Sequence, residues 1–140
     1  MKYLSVILFF IILSGCNPNE NRSKTGTVKS DHKVKRYGSV IKVVPEKLEE
    51  YKRLHAAAWP GVLEMIKKCN IRNYSIYYKD GYLFSYYEYI GDDFNADMAK
   101  MSADPETQRW WSVTTPCLQP LETVAPGEVW AVMEEIFHTE

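Results

Sequence analysis

With 140 residues, 17 basic and 18 acidic side chains, a net charge of −1 and a pI near 6.3, the chain has room for one ordinary domain and hardly two. That balance, with no basic tract, excludes the phosphate-neutralising surface on which nucleic-acid binding depends. Aromatic residues make up 14% of the chain, with ten tyrosines and four tryptophans. Most must fill the core of so small a domain, and the rest offer stacking surfaces for planar or sugar-like ligands.

The first sixteen residues, M-K-Y-L-S-V-I-L-F-F-I-I-L-S-G-C, have the layout of an export signal: one lysine, an apolar run, then small residues. The run is too short to cross a bilayer as a mature helix. Leu13-Ser14-Gly15-Cys16 resembles the lipobox of bacterial lipoproteins, in which the cysteine is lipidated and becomes the new N-terminus. That resemblance implies a lipid anchor at Cys16 and a place at the cell envelope, on the periplasmic or surface side of a membrane. Residues 17–34 are polar and aperiodic and read as a flexible tether that includes an idle His32. The folded domain is then 35–140.

Along that domain, R-Y-G-S-V-I-K-V-V (36–44) is β-branched and aromatic and predicts a strand. Pro45 suits the first turn of a helix, with Glu46, Glu49 and Glu50 near its positive end. Pro60 disfavours helical geometry at Trp59, so this helix should stop near Ala58. G-V-L-E-M-I-K-K-C continues as a second helix. The run N-Y-S-I-Y-Y-K-D-G-Y-L-F-S-Y-Y-E-Y-I predicts two strands, because Asp80-Gly81 supplies the positive φ values of a tight hairpin.

Beyond Gly91, Phe94, Met98 and Met101 share one helical face. Asp104-Pro105-Glu106 reads as N-cap, N1 and acidic first turn of a further helix carrying Arg109, Trp110 and Trp111, ended by Pro116 and Pro120. The tail V-W-A-V-M-E-E-I-F-H predicts a last strand. Strand, helices, two strands, helices, strand is a ferredoxin-like α+β order, an antiparallel sheet with helices on one face. The other sheet face still needs cover, which a homodimer with packed sheets would supply.

Of the cysteines, Cys69 and Cys117 remain in the domain, either paired or standing as buried free thiols among their apolar neighbours. No Cys/His cluster of metal-binding type is present. In E-Y-K-R-L-H-A-A-A-W-P (50–60), Tyr51 and His55 fall on one helical face with Leu48 one turn earlier, which turns that face toward the sheet. A histidine there is either a hydrogen-bonded core residue or an acid/base group working near neutral pH. Trp110 and Trp111 point about 100° apart on their helix, so one can stack on a ligand while the other anchors the helix.

E-Y-K-R-L-H-A-A-A-W-P, R-N-Y-S-I-Y, Q-R-W-W and the closing E-E-I-F-H, in this order, together resemble the L-rhamnose mutarotases across almost all of 35–140. The resemblance implies a dimeric α+β barrel of ferredoxin-like subunits that interconverts sugar anomers by acid/base ring opening, without metal or other cofactor. It implies His55 as the proton donor and Tyr51, Tyr74, Trp110 and Trp111 as sugar-binding residues. Two features depart from the family. The signal and lipobox are additions, and S-V-T-T-P-C-L-Q-P-L after Trp111 is more proline-broken, which leaves L-fucose or another deoxy-hexose or pentose open beside L-rhamnose. A lipid-anchored sugar-binding module without turnover and a small α+β barrel monooxygenase are the competing readings.

Overall fold

The structure, a computed structural model, describes residues 34–139. The export signal, Cys16, His32 and all but the end of the tether lie outside the described residues. The elements run in the order β1 (Lys35–Val43), α1 (Leu48–Ala56), α2 (Pro60–Lys68), β2 (Ile71–Lys79), β3 (Tyr82–Tyr89), α3 (Phe94–Ala103), α4 (Pro105–Thr114), β4 (Leu118–Gln119) and β5 (Ala131–Met133). One antiparallel sheet is ordered β2-β3-β1, with both β4 and β5 on the outer edge of β1. This is the ferredoxin-like arrangement anticipated from the element order.

Local chemistry explains most boundaries. Asp80 and Gly81 take φ values of 49° and 86°, the left-handed pair that a two-residue hairpin demands. Pro45 opens a 3-10 turn, Pro45–Lys47, before α1 begins, so the helix proper is shorter than the sequence suggests. Trp59, extended at ψ 135°, breaks the chain, and Pro60 takes the first position of α2. Asp93 and Asp104 cap α3 and α4 by accepting from the backbone N–H groups of Ala96 and Thr107.

The helices lie against one face of the sheet, and two apolar clusters hold them there. Ile41, Val43 and Leu83 of the sheet, Tyr51 of α1 and Cys117 form the first, with Leu48, Leu54, Ile76, Leu118, Val129 and Trp130 packed around it. Cys69, Ile71 and Met101 form the second, with Met65, Ile66, Tyr87 and Met98. Cys69 and Cys117 are buried free thiols in separate clusters.

Two sequence expectations change. The tail does not make a full strand: only Ala131–Met133 pairs with β1, and Ile136 and Phe137 beyond it are 90% and 80% exposed. The chain still follows β1 as far as Glu135, whose carboxylate accepts two hydrogen bonds from the Arg36 guanidinium at 2.8 and 2.9 Å. A side-chain clamp there replaces the backbone ladder. The short β4, paired with Lys42 and Val43, was not read from the sequence because two residues carry no periodicity.

A polar knot ties the far end of the sheet to α3. Asp97 Oδ2 accepts from Asn70 Nδ2 at 2.7 Å and from the Tyr89 hydroxyl at 2.9 Å. These hydrogen bonds, the one from Asn70 first, hold the Asp97 carboxyl below its ordinary value. A carboxyl whose folded pKa is depressed stabilises the fold above its unfolded value, and the contribution fades as pH falls through the folded one. Asp97→Ala should therefore lower the thermal midpoint at pH 7, with the gap to wild type shrinking below about pH 3.8. Melting curves across that range check it, and a gap that stays constant with pH would assign Asp97 no ionic role.

Candidate functional site

The site is built on α1. Tyr51 is buried in the first core cluster, which fixes the rotation of the helix. One turn later His55 lies on the same face, half-buried, its ring 4.1 Å centroid to centroid from that of Tyr51. Trp110 of α4, 6% exposed, meets the imidazole edge-on at 5.2 Å. Trp59, at the break between α1 and α2, meets Trp110 edge-on at 5.4 Å, and the Arg109 guanidinium lies over the Trp59 ring at 6.0 Å. Tyr51, His55, Trp110 and Trp59 thus form one continuous aromatic stack.

The hydrogen bonding of His55 settles its tautomer. Nδ1 lies 3.0 Å from the Tyr51 carbonyl oxygen, which can only accept, so Nδ1 carries the proton and donates. Nε2 is left with a free lone pair. Burial pushes the imidazole pKa down, and the bond to the carbonyl opposes that in part. The resting group is therefore a neutral base.

The phenols of this region keep their protons. Burial, reinforced by the neighbouring Tyr74 phenol, pushes Tyr51 far above its ordinary value, so it stays protonated at any physiological pH. Tyr74 is raised by desolvation of its hydroxyl even though the residue as a whole is 44% exposed. A bulge sets its direction: Asn73 adopts φ 49° and the β2–β3 register shifts between Arg72 and Ser75. Without that extra residue Tyr74 would alternate onto the face away from the helices. With it, Tyr74 meets Tyr87 edge-on at 5.6 Å on the helix side.

Tyr74 also lines a cavity of about 180 Å³ walled by Tyr37, Ser39, Ser85, Tyr87, Glu128 and Trp130. Burial pushes Tyr87 up to about 12, with Tyr37, Tyr74 and the Glu128 carboxylate adding to the rise. Of the residues singled out from sequence, the structure gathers Tyr51, His55 and Trp110 in the stack, and Tyr74 joins the stack to the cavity. Trp111 stands apart, 40% exposed, pointing away from Trp110 as adjacent helical residues must. Sequence reasoning missed Trp59 as a stack member and every other wall residue of the cavity. Only Pro126-Gly127, a turn signal directly before Glu128, hinted at any of them.

Comparison with known proteins identifies the family. Residues 36–139 match the family model described as L-rhamnose mutarotase. The L-rhamnose mutarotase of Shouchella clausii (strain KSM-K16) is 30% identical over 105 residues, covering 74% of this chain and 96% of that protein. That of Bacillus subtilis (strain 168) is 30% identical over 109 residues, covering 76% of this chain and 100% of that protein. The crystal structure of an L-rhamnose mutarotase from Formosa agariphila superposes with a TM-score of 0.59 at 21% identity, covering 76% of this chain and 99% of that one. The tetracenomycin F2 cyclase of Streptomyces glaucescens follows with 0.55 at 16% identity, covering 76% and 96%. At those identities the two solved structures speak for the fold alone, the α+β sheet with helices on one face. The family model and the relatives go further: this chain belongs to the L-rhamnose mutarotase family.

Proposed function

We propose that this chain is an isomerase that interconverts the anomers of a small reducing sugar, L-rhamnose or a related deoxy-hexose such as L-fucose. One observation carries the chemistry: His55 donates Nδ1–H to the Tyr51 carbonyl and so keeps Nε2 free as a base within an aromatic wall. The anomeric hydroxyl and the ring oxygen of a pyranose share one carbon, so a single nitrogen reaches both. Nε2 takes the anomeric proton, the bond from the anomeric carbon to the ring oxygen breaks with its electron pair going to that oxygen, and the imidazolium returns the proton there. The open aldehyde turns about its bond to C2, and the ring closes on the other face by the reverse steps. The C–O bond opens and closes with only proton transfer to assist it and no net oxidation or reduction, which calls for no metal, nucleotide or redox group.

The surrounding groups supply orientation. Tyr51 and Tyr74, held protonated, donate hydrogen bonds to sugar oxygens, and an indole face takes the apolar side of the ring. Family membership favours both Trp110 and Trp111 for that contact. Their burial divides the work, with Trp110 as wall and anchor and Trp111 as the exposed contact.

His55→Ala should abolish catalysed anomer exchange while leaving the fold intact. In wild type the exchange rate should fall on the acid side with a midpoint below the ordinary histidine value of 6.5, because burial disfavours the imidazolium. Exchange NMR with L-rhamnose between pH 4.5 and pH 8 measures both. Unchanged exchange in the variant, or an acid midpoint above 6.5, would remove His55 from the mechanism.

The two tryptophans should respond differently. Trp110→Ala should cost about 3–5 kcal/mol of stability by opening a void beside α1. Trp111→Ala should stay within about 0.5 kcal/mol of wild type and act on KM instead. Urea denaturation beside saturation kinetics tells them apart.

The remaining partners follow from the same reading. A second copy would cover the sheet face opposite the helices, where Tyr77, Tyr82 and Met133 are 64%, 37% and 38% exposed. A lipid on Cys16 would hold the domain at the cell envelope, where reducing sugars are released from polysaccharide. Metabolic labelling with a clickable fatty acid should mark wild type and leave Cys16→Ser unmarked, and an unlabelled wild type refutes the anchor. Residues 17–140 expressed without the signal should sediment at twice the chain mass, and a monomer refutes the paired sheets.

A further inference from the structure

The cavity beside the catalytic stack has a chemistry of its own. Its floor is the cross-strand pair Ser39 and Ser85, whose hydroxyl oxygens lie 2.7 Å apart. Whichever serine donates, the proton of the other remains for a ligand, and both oxygens keep accepting capacity. Ser85 is 3% exposed, so these hydroxyls sit at the bottom of the hollow rather than on the surface. Ile41 and Leu83, the next pair along the same face, are apolar and closed in the core, which makes the serine pair a local exception in the floor.

The mouth is set by a rigid turn. Residues 125–128, A-P-G-E, close with the Glu128 N–H donating to the Ala125 carbonyl at 3.0 Å, and Gly127 takes φ 85°. Proline followed by a glycine of positive φ is a type II turn, which fixes where the Glu128 side chain leaves the backbone. Trp130 follows and packs on the core cluster that contains Tyr51, so the wall of the cavity and the base of the catalytic stack are braced by the same residues. Tyr74 lines the cavity and meets Tyr87 edge-on at 5.6 Å, and its phenol helps to raise the pKa of Tyr51 in the stack.

Among the lining residues there are a carboxylate, two aliphatic hydroxyls, three phenols and an indole, and no cationic side chain. That set repels anions and suits a neutral molecule rich in hydroxyls. We infer that Glu128 is a specificity residue: it accepts hydrogen bonds from adjacent hydroxyls on the part of the sugar remote from the anomeric carbon, with Ser39 and Ser85 serving the same ring from below. The pocket then admits neutral sugars and rejects uronic acids, whose carboxylate would face Glu128. This assignment rests on the mutarotase reading for its substrate class.

The test compares wild type with Glu128→Gln and Ser85→Ala in exchange NMR on L-rhamnose and on D-galacturonic acid, with melting curves to verify folding. Wild type should exchange the neutral sugar and leave the uronic acid at its uncatalysed rate. Glu128→Gln, an exposed and near-isosteric change, should raise KM for L-rhamnose on the order of tenfold with kcat little changed, and should gain exchange of the uronic acid. A variant with wild-type KM and wild-type rejection overturns the assignment. Should wild type exchange neither sugar, the reaction reading fails, and the Trp130 indole NMR signal then decides the pocket. A shift on adding L-rhamnose that is lost in Glu128→Gln upholds it, and no shift overturns it.

Discussion

The burial of Tyr51 against the sheet is the contact on which the site depends. Its ring is 5% exposed among Ile41, Val43, Leu83 and Cys117, and that packing fixes the rotation of α1 about its axis. A helix has only this freedom once its ends are set by the 3-10 turn at Pro45 and the break at Trp59. With the rotation set, His55 must follow one turn later on the same face. The same residue supplies the carbonyl that selects the imidazole tautomer. One side chain therefore positions the base in space, and its own backbone chooses which nitrogen is free.

Desolvation then does opposite things to neighbouring groups, as it must where charged forms are disfavoured. It lowers the imidazole and raises the phenols of Tyr51, Tyr74 and Tyr87. The result is a neutral acceptor beside one phenol that keeps its proton, with two more such phenols on the cavity wall, the groups on which the proposed ring opening draws. On the proposed reading, the Glu128 carboxylate at the mouth, with no cationic side chain among the lining residues, would limit charge in the ligand as well.

Helices on one side leave the sheet with two unlike faces. On the helix face, strand alternation places Ile41, Val43, Leu83, Ser39 and Ser85, the materials of core and cavity. On the other lie Val40, Lys42, Tyr82, Phe84 and Tyr77, of which Tyr77 and Tyr82 are exposed and the rest half-buried, with the Lys42 ammonium over the Tyr82 ring at 5.9 Å. The last residues of the chain add Ile136 and Phe137, exposed beyond the end of β5. A single domain of this size cannot bury both faces of its sheet, since its helices suffice for only one.

The sequence by itself determined the main strands, the helices and the fold class, though not β4 or the length of β5, because those rest on local rules: alternation in β1, Asp-Gly at the hairpin, aspartate caps on α3 and α4, proline at helix starts. It also determined that Tyr51 and His55 share a face, since helical spacing is fixed, and four motifs in order pointed to the family. Tertiary structure alone decided the rest. The bulge at Asn73 turns Tyr74 onto the helix side, and no spacing rule announces a single extra residue in a strand. Packing of α4 against α2 and α3, with His55 and Trp59 meeting its ring edge-on, chose Trp110 over Trp111 as the buried ring, since sequence says only that the two diverge. The cavity wall draws on β1, β2, β3 and the turn at 125–128, segments separated by up to ninety residues, and their meeting is a property of the sheet order that local preferences do not encode.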